Sequence, residues 1–233
     1  MCGRFVQAAS PELLAERFSV AAANVDVGKR EPDYNVTPRR SVPVVRERDG
    51  QRFLSDLRWG LVPSWAKDIK IGDRMINARA ETVGEKNAYR RAFAKRRCII
   101  PADGFYEWKR RPGERRKEPW FIHRRDGEPM ALAGLWEYWR NPADPDGEPV
   151  RSCVIVTTTA NGALAPIHDR MPVILPESSW DWWLDPATSI EVVQGILVPA
   201  ADDVVATYPV STRVNSPANN DAELVARADA GPG

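Results

Sequence analysis

With 233 residues, 43% of them hydrophobic, the chain is long enough to bury one sizeable core without support from metal or disulfides. Net charge is only +1, three cysteines are too few for a stapled scaffold, and no apolar run reaches eighteen residues, which excludes a disulfide-rich module and a membrane-spanning helix. The opening residues, with Arg4 and no apolar segment behind it, lack the pattern of a signal peptide, so a cytoplasmic protein is expected. In chain order, SPELLAERF predicts a short amphipathic helix with Ser10 as N-cap and Pro11 at the first helical position. Its capping box is incomplete, because Leu13 stands where Glu or Gln is needed. Residues 24–40 read as loop. VPVVRER and RFLSDLRW alternate around a DGQ turn and predict a hairpin. Residues 85–96 have helical spacing through Ala88 and Phe93. Four strands are predicted next, RCIIPADGFYEWK, PWFIHRR, MALAGLWEYW and SCVIVTTTA, the middle ones separated by PGE and DGE turns. A strand near PVILP, helices over SSWDWWL and IEVVQGI, and a loop-rich tail complete the pattern. The predicted class is α+β, a single domain with a curved, mostly antiparallel, barrel-like sheet flanked by short helices, and a disordered tail over 226–233.

Charge is unevenly distributed. Residues 141–233 carry four basic and thirteen acidic side chains, a balance of −9, which leaves residues 1–140 at +10. Basic clusters recur between Arg90 and Lys117, and Arg124 and Arg125 add another. The tip KRRPGERRK reads equally well as a solvated hairpin end; a polyanion partner follows only if a chemical site faces the same surface.

Candidates for chemistry are few. Cys98 and Cys153 lie in apolar runs and read as core, and His123 lies inside a strand pattern. His168, in APIHDRMP, sits in a polar insertion between apolar strands, where functional loops are common. No CxxC or HxxxH spacing suggests zinc, and no glycine-rich cradle suggests a nucleotide cofactor, so neither metal nor cofactor is expected. Cys2 stands apart. Once Met1 is removed it carries an α-amino group (~8) and a thiol (~8.5) on one residue, both partly nucleophilic near neutral pH. The amine can condense with an aldehyde and the thiol can close a five-membered thiazolidine, an intramolecular step. The same pair can attack an amide, with the amine as base. Either chemistry leads one to expect this residue at the solvent-exposed front of a basic groove.

MCGRF, YNVTP, RWGLVPSW, INARAET, RRCIIPADGFYEWK, IHDRMPVIL and YPVSTRVNS occur in that order. Together they resemble the SRAP family, the SOS-response-associated peptidase family that includes abasic-site processing proteins, over nearly the whole chain. The resemblance implies one catalytic and DNA-binding domain over residues 1–225. It implies that Cys2 crosslinks to the aldehyde of an abasic site in single-stranded DNA, that Asn77 orients the terminal amine, that Glu107 is the catalytic carboxylate, and that His168 assists proton transfer or holds a phosphate. Framed by Tyr106 and Trp108 in an apolar strand, Glu107 should have a raised pKa if buried, although it also reads as the polar face of an edge strand. The resemblance further implies DNA contacts from Gly3, Arg4, Pro38, Trp65, Arg79, Trp108, Thr157 and Arg170. Ala66 stands where some relatives carry a second aromatic, which removes a wedge from that position. The expected partner is single-stranded DNA containing abasic sites, bound by a monomer associated with the nucleoid during DNA damage. Two other readings stay open: a self-processing cysteine peptidase or N-terminal-nucleophile amidohydrolase, and a noncovalent binder of modified or single-stranded DNA.

Overall fold

A computed structural model of the chain describes residues 2–113 and 116–228. Its strands are β1 Phe5–Gln7, β2 Val25–Asp26, β3 Asp33–Val36, β4 Ser41–Arg48, β5 Gln51–Trp59, β6 Asn77–Arg79, β7 Arg97–Ala102, β8 Gly104–Lys109, β9 Glu118–Arg124, β10 Met130–Trp139, β11 Val150–Thr159, β12 Arg170–Pro172 and β13 Val205–Pro209. The α-helices are α1 Pro11–Arg17, α2 Arg90–Lys95, α3 Trp180–Leu184 and α4 Ile190–Ile196.

The alternating segments around Asp49 and Gly50 form the β4–β5 hairpin, and both turn residues have positive φ (53° and 73°), which suits the right-handed twist of the strands. From this hairpin the sheet curls. Strands β11, β10, β7, β4 and β5 pair antiparallel in that order, and β5 returns to β11 through two parallel pairs, Arg58 with Ser152 and Trp59 with Cys153. The result is a closed ring, consistent with the barrel-like expectation. A second antiparallel sheet runs β13, β9, β8, β1, β3.

Alternation along the ring strands sorts apolar residues to two faces. Val44, Leu57, Trp59, Cys98, Ile100, Leu132, Cys153 and Ile155 belong to an inner cluster that also holds Cys2 and Phe5. Val45, Leu54, Ile99, Leu135 and Val154 belong to an outer one with Leu14 and Phe18 near α1, Phe93 of α2, Trp180 and Trp183 of α3, and Val193 of α4. Ser10 caps α1 as expected, its hydroxyl accepting from the Leu13 N–H at 3.3 Å, worth about 1 kcal/mol. Arg97, nearly fully buried, donates to the carbonyls of Trp183 (2.6 Å), Phe93 (2.8 Å), Ala94 (2.9 Å) and Asp185, pinning the ends of α2 and α3 to β7. Those carbonyls lie at helix C-termini, where a cation is favoured.

Several expectations are corrected. Residues 24–40 are not all loop: β2 and β3 lie there, short and polar, formed because β5 and β1 offer them unpaired edges. RCIIPADGFYEWK is two strands rather than one. Asp103 divides it, accepting from the N–H groups of Ala8 (2.6 Å) and Ala9 (3.1 Å), so that β7 joins the ring and β8 the second sheet. The helix over 85–96 shortens to α2, preceded by turns through Thr82 and Lys86. The tail contains β13, paired to β9 over five residues. Arg227 bridges Val210, and the Ala228 N–H donates to Pro209 O at 2.9 Å; residues 229–233 lie outside the described residues. Within WDWW, Trp180 and Trp183 pack as expected while Trp182 is exposed.

Candidate functional site

β1 carries the start of the chain between β3 and β8. Phe5 pairs with Phe105, and the Tyr106 N–H donates to Arg4 O at 2.9 Å, so continuing the register brings Gly3 and Cys2 alongside Glu107. β6 approaches from the ring, paired in parallel with β11, and its first side chain reaches the same point. Asn77 Nδ2 donates to Cys2 O at 2.8 Å, while Asn77 Oδ1 is buried with no hydrogen-bond partner among the described residues. The loop after β11 supplies His168, whose Nε2 lies 3.9 Å from Glu107 Oε2. Four residues from four distant segments therefore converge.

Their electrostatics are coupled. Glu107 is almost completely buried, and burial pushes its carboxyl above the usual range, against the pull of nearby positive charge, His168 included. His168 remains about a quarter exposed. Its Nδ1 lies 3.0 Å from the Arg170 backbone nitrogen, which fits a bare Nδ1 accepting there, and 2.9 Å from Asp169 Oδ1, which fits an Nδ1–H donating there. Nδ1 thus has a partner whether or not it carries the hydrogen. Asp169 was not singled out in the sequence, although it directly follows His168.

Cys2 corrects an expectation. It is fully buried in the inner cluster, and its thiol pKa is pushed far up, first by burial and then by the charge of Glu107. The physical reason is that β1 lies inside the second sheet, so residues leading into it pack against Phe5 and Trp59 rather than water. In this chain the Cys2 nitrogen is still in peptide linkage to Met1. Cys98 and Cys153 are also buried, as expected.

The expected DNA-contacting residues divide into two groups. Arg4 donates to Asn35 Oδ1 (2.6 Å) and Val214 O (2.8 Å), with its guanidinium 5.9 Å from the Trp108 ring centre. Arg170 forks onto Glu81 (2.5 and 2.9 Å) and reaches Thr157 O (2.6 Å). Glu81 was another residue that the sequence did not flag. Thr157 is fully buried in β11, and Trp108 Nε1 donates to Asn215 Oδ1 at 2.7 Å. By contrast, Arg79 and Trp65 are exposed, and Gly3 and Pro38 are partly so. Trp65 lines a cavity of about 260 Å³ with Asn87 and Arg91. Ala66 is buried and its carbonyl accepts from Trp139 Nε1 at 2.7 Å, so position 66 faces inward. The basic tip begins at Lys109, two residues past Glu107 on β8; Glu114 and Arg115 of that tip lie outside the described residues.

A family model described as SOS response associated peptidase (SRAP) matches residues 1–217. The chain is 42% identical over 226 residues to the abasic site processing protein YoqW of Bacillus subtilis (strain 168), covering 97% of this chain and 99% of that protein. It is 31% identical to the abasic site processing protein HMCES of Rattus norvegicus, over 98% of this chain and 76% of that one. A crystal structure of a protein from Bacteroides thetaiotaomicron superposes with a TM-score of 0.86 at 27% identity, covering 97% of this chain and all of the other. No helix among the described residues is long and apolar enough to cross a membrane.

Proposed function

The chain belongs to the SOS response associated peptidase (SRAP) family, and from that premise we propose that it processes abasic sites by covalent capture, Cys2 forming a thiazolidine with the abasic aldehyde in single-stranded DNA. The observation that supports this most is the convergence of Cys2, Asn77, Glu107 and His168, through the 2.8 Å Asn77–Cys2 hydrogen bond and the 3.9 Å Glu107–His168 approach.

The chemistry runs as three proton exchanges. Removal of Met1 turns the Cys2 nitrogen into a primary amine, for which the buried Asn77 Oδ1 is an acceptor within reach of the same residue. The amine adds to C1′ of the ring-opened sugar, and His168 serves the proton exchange at the sugar oxygen during ring opening. Glu107, whose carboxyl burial pushes above the usual range, protonates the carbinolamine hydroxyl, which leaves as water and yields an iminium. The resulting carboxylate accepts the thiol proton as sulfur attacks the same carbon. Glu107 ends as it began, one water is lost, and no electrons are exchanged. A thiol with a raised pKa is poorly nucleophilic alone, which makes a nearby proton acceptor necessary and leaves the Met1-bearing chain latent.

On the DNA side, exposed Arg79 and the basic run beyond Lys109 attract phosphates, and Trp65 offers a face for base stacking. Arg170 positions His168 through its N–H and reaches DNA only by leaving Glu81.

The test mixes Met1-processed protein with single-stranded DNA carrying one abasic site and looks for a denaturation-resistant adduct. Wild type should give one; Glu107→Gln should slow its formation about 100-fold while binding undamaged strand normally. An unchanged rate for Glu107→Gln would overturn the assigned role.

A further inference from the structure

Between the Cys2 site and the opposite mouth, the inward face of the ring carries mostly apolar side chains, Val44, Leu57, Ile100, Leu132 and Cys153 among them. At that mouth Arg46 of β4, Phe53 of β5, Trp136 and Tyr138 of β10 and Arg151 of β11 line a cavity of about 370 Å³. Thr157, which touches Arg170 beside the Cys2 site, and Arg151 stand six residues apart on β11, so about 20 Å separates the two ends. The volume falls in the range of small-molecule sites.

The charge arrangement at this mouth is unusual. The Arg46 guanidinium lies over the Trp136 ring at 4.7 Å from its centre, and its Nη2 donates to Ser55 Oγ at 2.7 Å, but its Nε is buried with no hydrogen-bond partner among the described residues. Among the described residues no carboxylate pairs with Arg46 or Arg151; Asp26 acts on Arg46 only from beyond pairing distance. Burial and the neighbouring Arg151 both disfavour the Arg46 charge. Glu47 reaches the rim, but its side chain alternates to the opposite face, with its cross-strand partner Arg52 and in the field of Asp185 and Asp181. Arg48, also at the rim, is exposed and paired with Asp49. Two cations thus share an aromatic-walled cavity with no carboxylate paired to either among the described residues.

We propose that this mouth is a second binding site, for a nucleoside monophosphate group: Arg46 and Arg151 take the phosphate, and Phe53, Tyr138 and the free portion of Trp136 take the base. Phosphate supplies the missing negative charge and acceptors for the guanidinium forks, and the aromatic walls favour a flat, apolar group beside it. A free nucleotide and the phosphorylated end of a strand carry the same chemistry.

The experiment is calorimetric titration of the full-length chain with adenosine 5′-monophosphate, adenosine, inorganic phosphate and a 5′-phosphorylated trinucleotide. Adenosine monophosphate should bind at one site at least tenfold tighter than adenosine or phosphate. Arg151→Ala, at an exposed rim position, should weaken it at least tenfold without changing the rate of abasic-site capture, and Arg46→Lys should do the same. Arg79→Ala should leave it unchanged. If the trinucleotide binds as tightly and is equally sensitive to Arg151→Ala, the ligand is a strand end; if only the mononucleotide binds, it is the free nucleotide. No binding at millimolar concentration, binding indifferent to Arg151→Ala, or mononucleotide binding no tighter than phosphate would each overturn the proposal.

Discussion

The two ends of the ring handle positive charge in opposite ways. Near Cys2, Arg170 is paired with Glu81 and His168 faces carboxylates at both nitrogens, while Arg4 is held by the neutral oxygens of Asn35 and Val214. At the far mouth Arg46 lies over the Trp136 ring, and neither it nor Arg151 has a carboxylate partner among the described residues. Compensated charges hold fixed positions and exchange protons over short distances, which suits bond-making. Uncompensated charges keep a standing attraction for an anion, which suits retention. One scaffold accommodates both because the inner cluster, with Leu57, Ile100, Leu132 and Ile155, fills the ring with apolar side chains.

The comparison breaks most sharply at Cys2. Cys2→Ala should abolish the stable adduct completely while leaving nucleotide binding at the far mouth intact; loss of both in a folded protein would show that the ends are not independent. Next in size is the scaffold itself. Arg97→Ala leaves four carbonyls, two of them in buried hydrogen bonds, short of a donor and should cost about 3 kcal/mol, lowering Tm by roughly 6–12 °C in a thermal melt. A third, smaller effect concerns the buried carboxyl. Its folded pKa is raised, so its charged form costs stability that appears as pH rises through that folded value and is absent below the unfolded one. Glu107→Gln should therefore raise Tm at pH 7 and 8, by about 2–4 °C per kcal/mol relieved, and the gain should vanish in melts near pH 4. The smallest effect is at Arg79, where substitution by Ala should weaken binding to undamaged single strands a few-fold and flatten the log–log salt dependence by about 0.7 per lost phosphate contact.

Much of the fold was legible because local signals agreed with tertiary ones. The DG turn forces the β4–β5 hairpin, the MALAGLWEYW run is β10 residue for residue, and Ser10–Pro11 starts α1. What escaped was structure decided by neighbours. DYNV becomes β3 because β1 presents an edge, and VATYP becomes β13 because β9 does. The break at Asp103 is hidden inside a run of residues that pack on both sides of it, and only the two N–H groups of Ala8 and Ala9 reveal why an aspartate stands there.

The candidate site divides the same way. Cys2, Asn77, Glu107 and His168 were nominated by their motifs, and nothing in the spacing of positions 2, 77, 107 and 168 announces that they meet. Their meeting depends on β1 inserting beside β8 and on β6 pairing with β11. The burial of Cys2 was missed because a residue next to the start of a chain is ordinarily solvated. Here β1 pulls it inward.

The most direct test of the central claim is the intact mass of the adduct between Met1-processed protein and a single-stranded oligonucleotide carrying one abasic site, measured with and without borohydride. The account predicts a species equal to protein plus DNA minus one water, unchanged by borohydride because the thiazolidine has no C=N bond to reduce. An adduct that gains two hydrogens on reduction, or one that forms at the wild-type rate with Cys2→Ala, would contradict it.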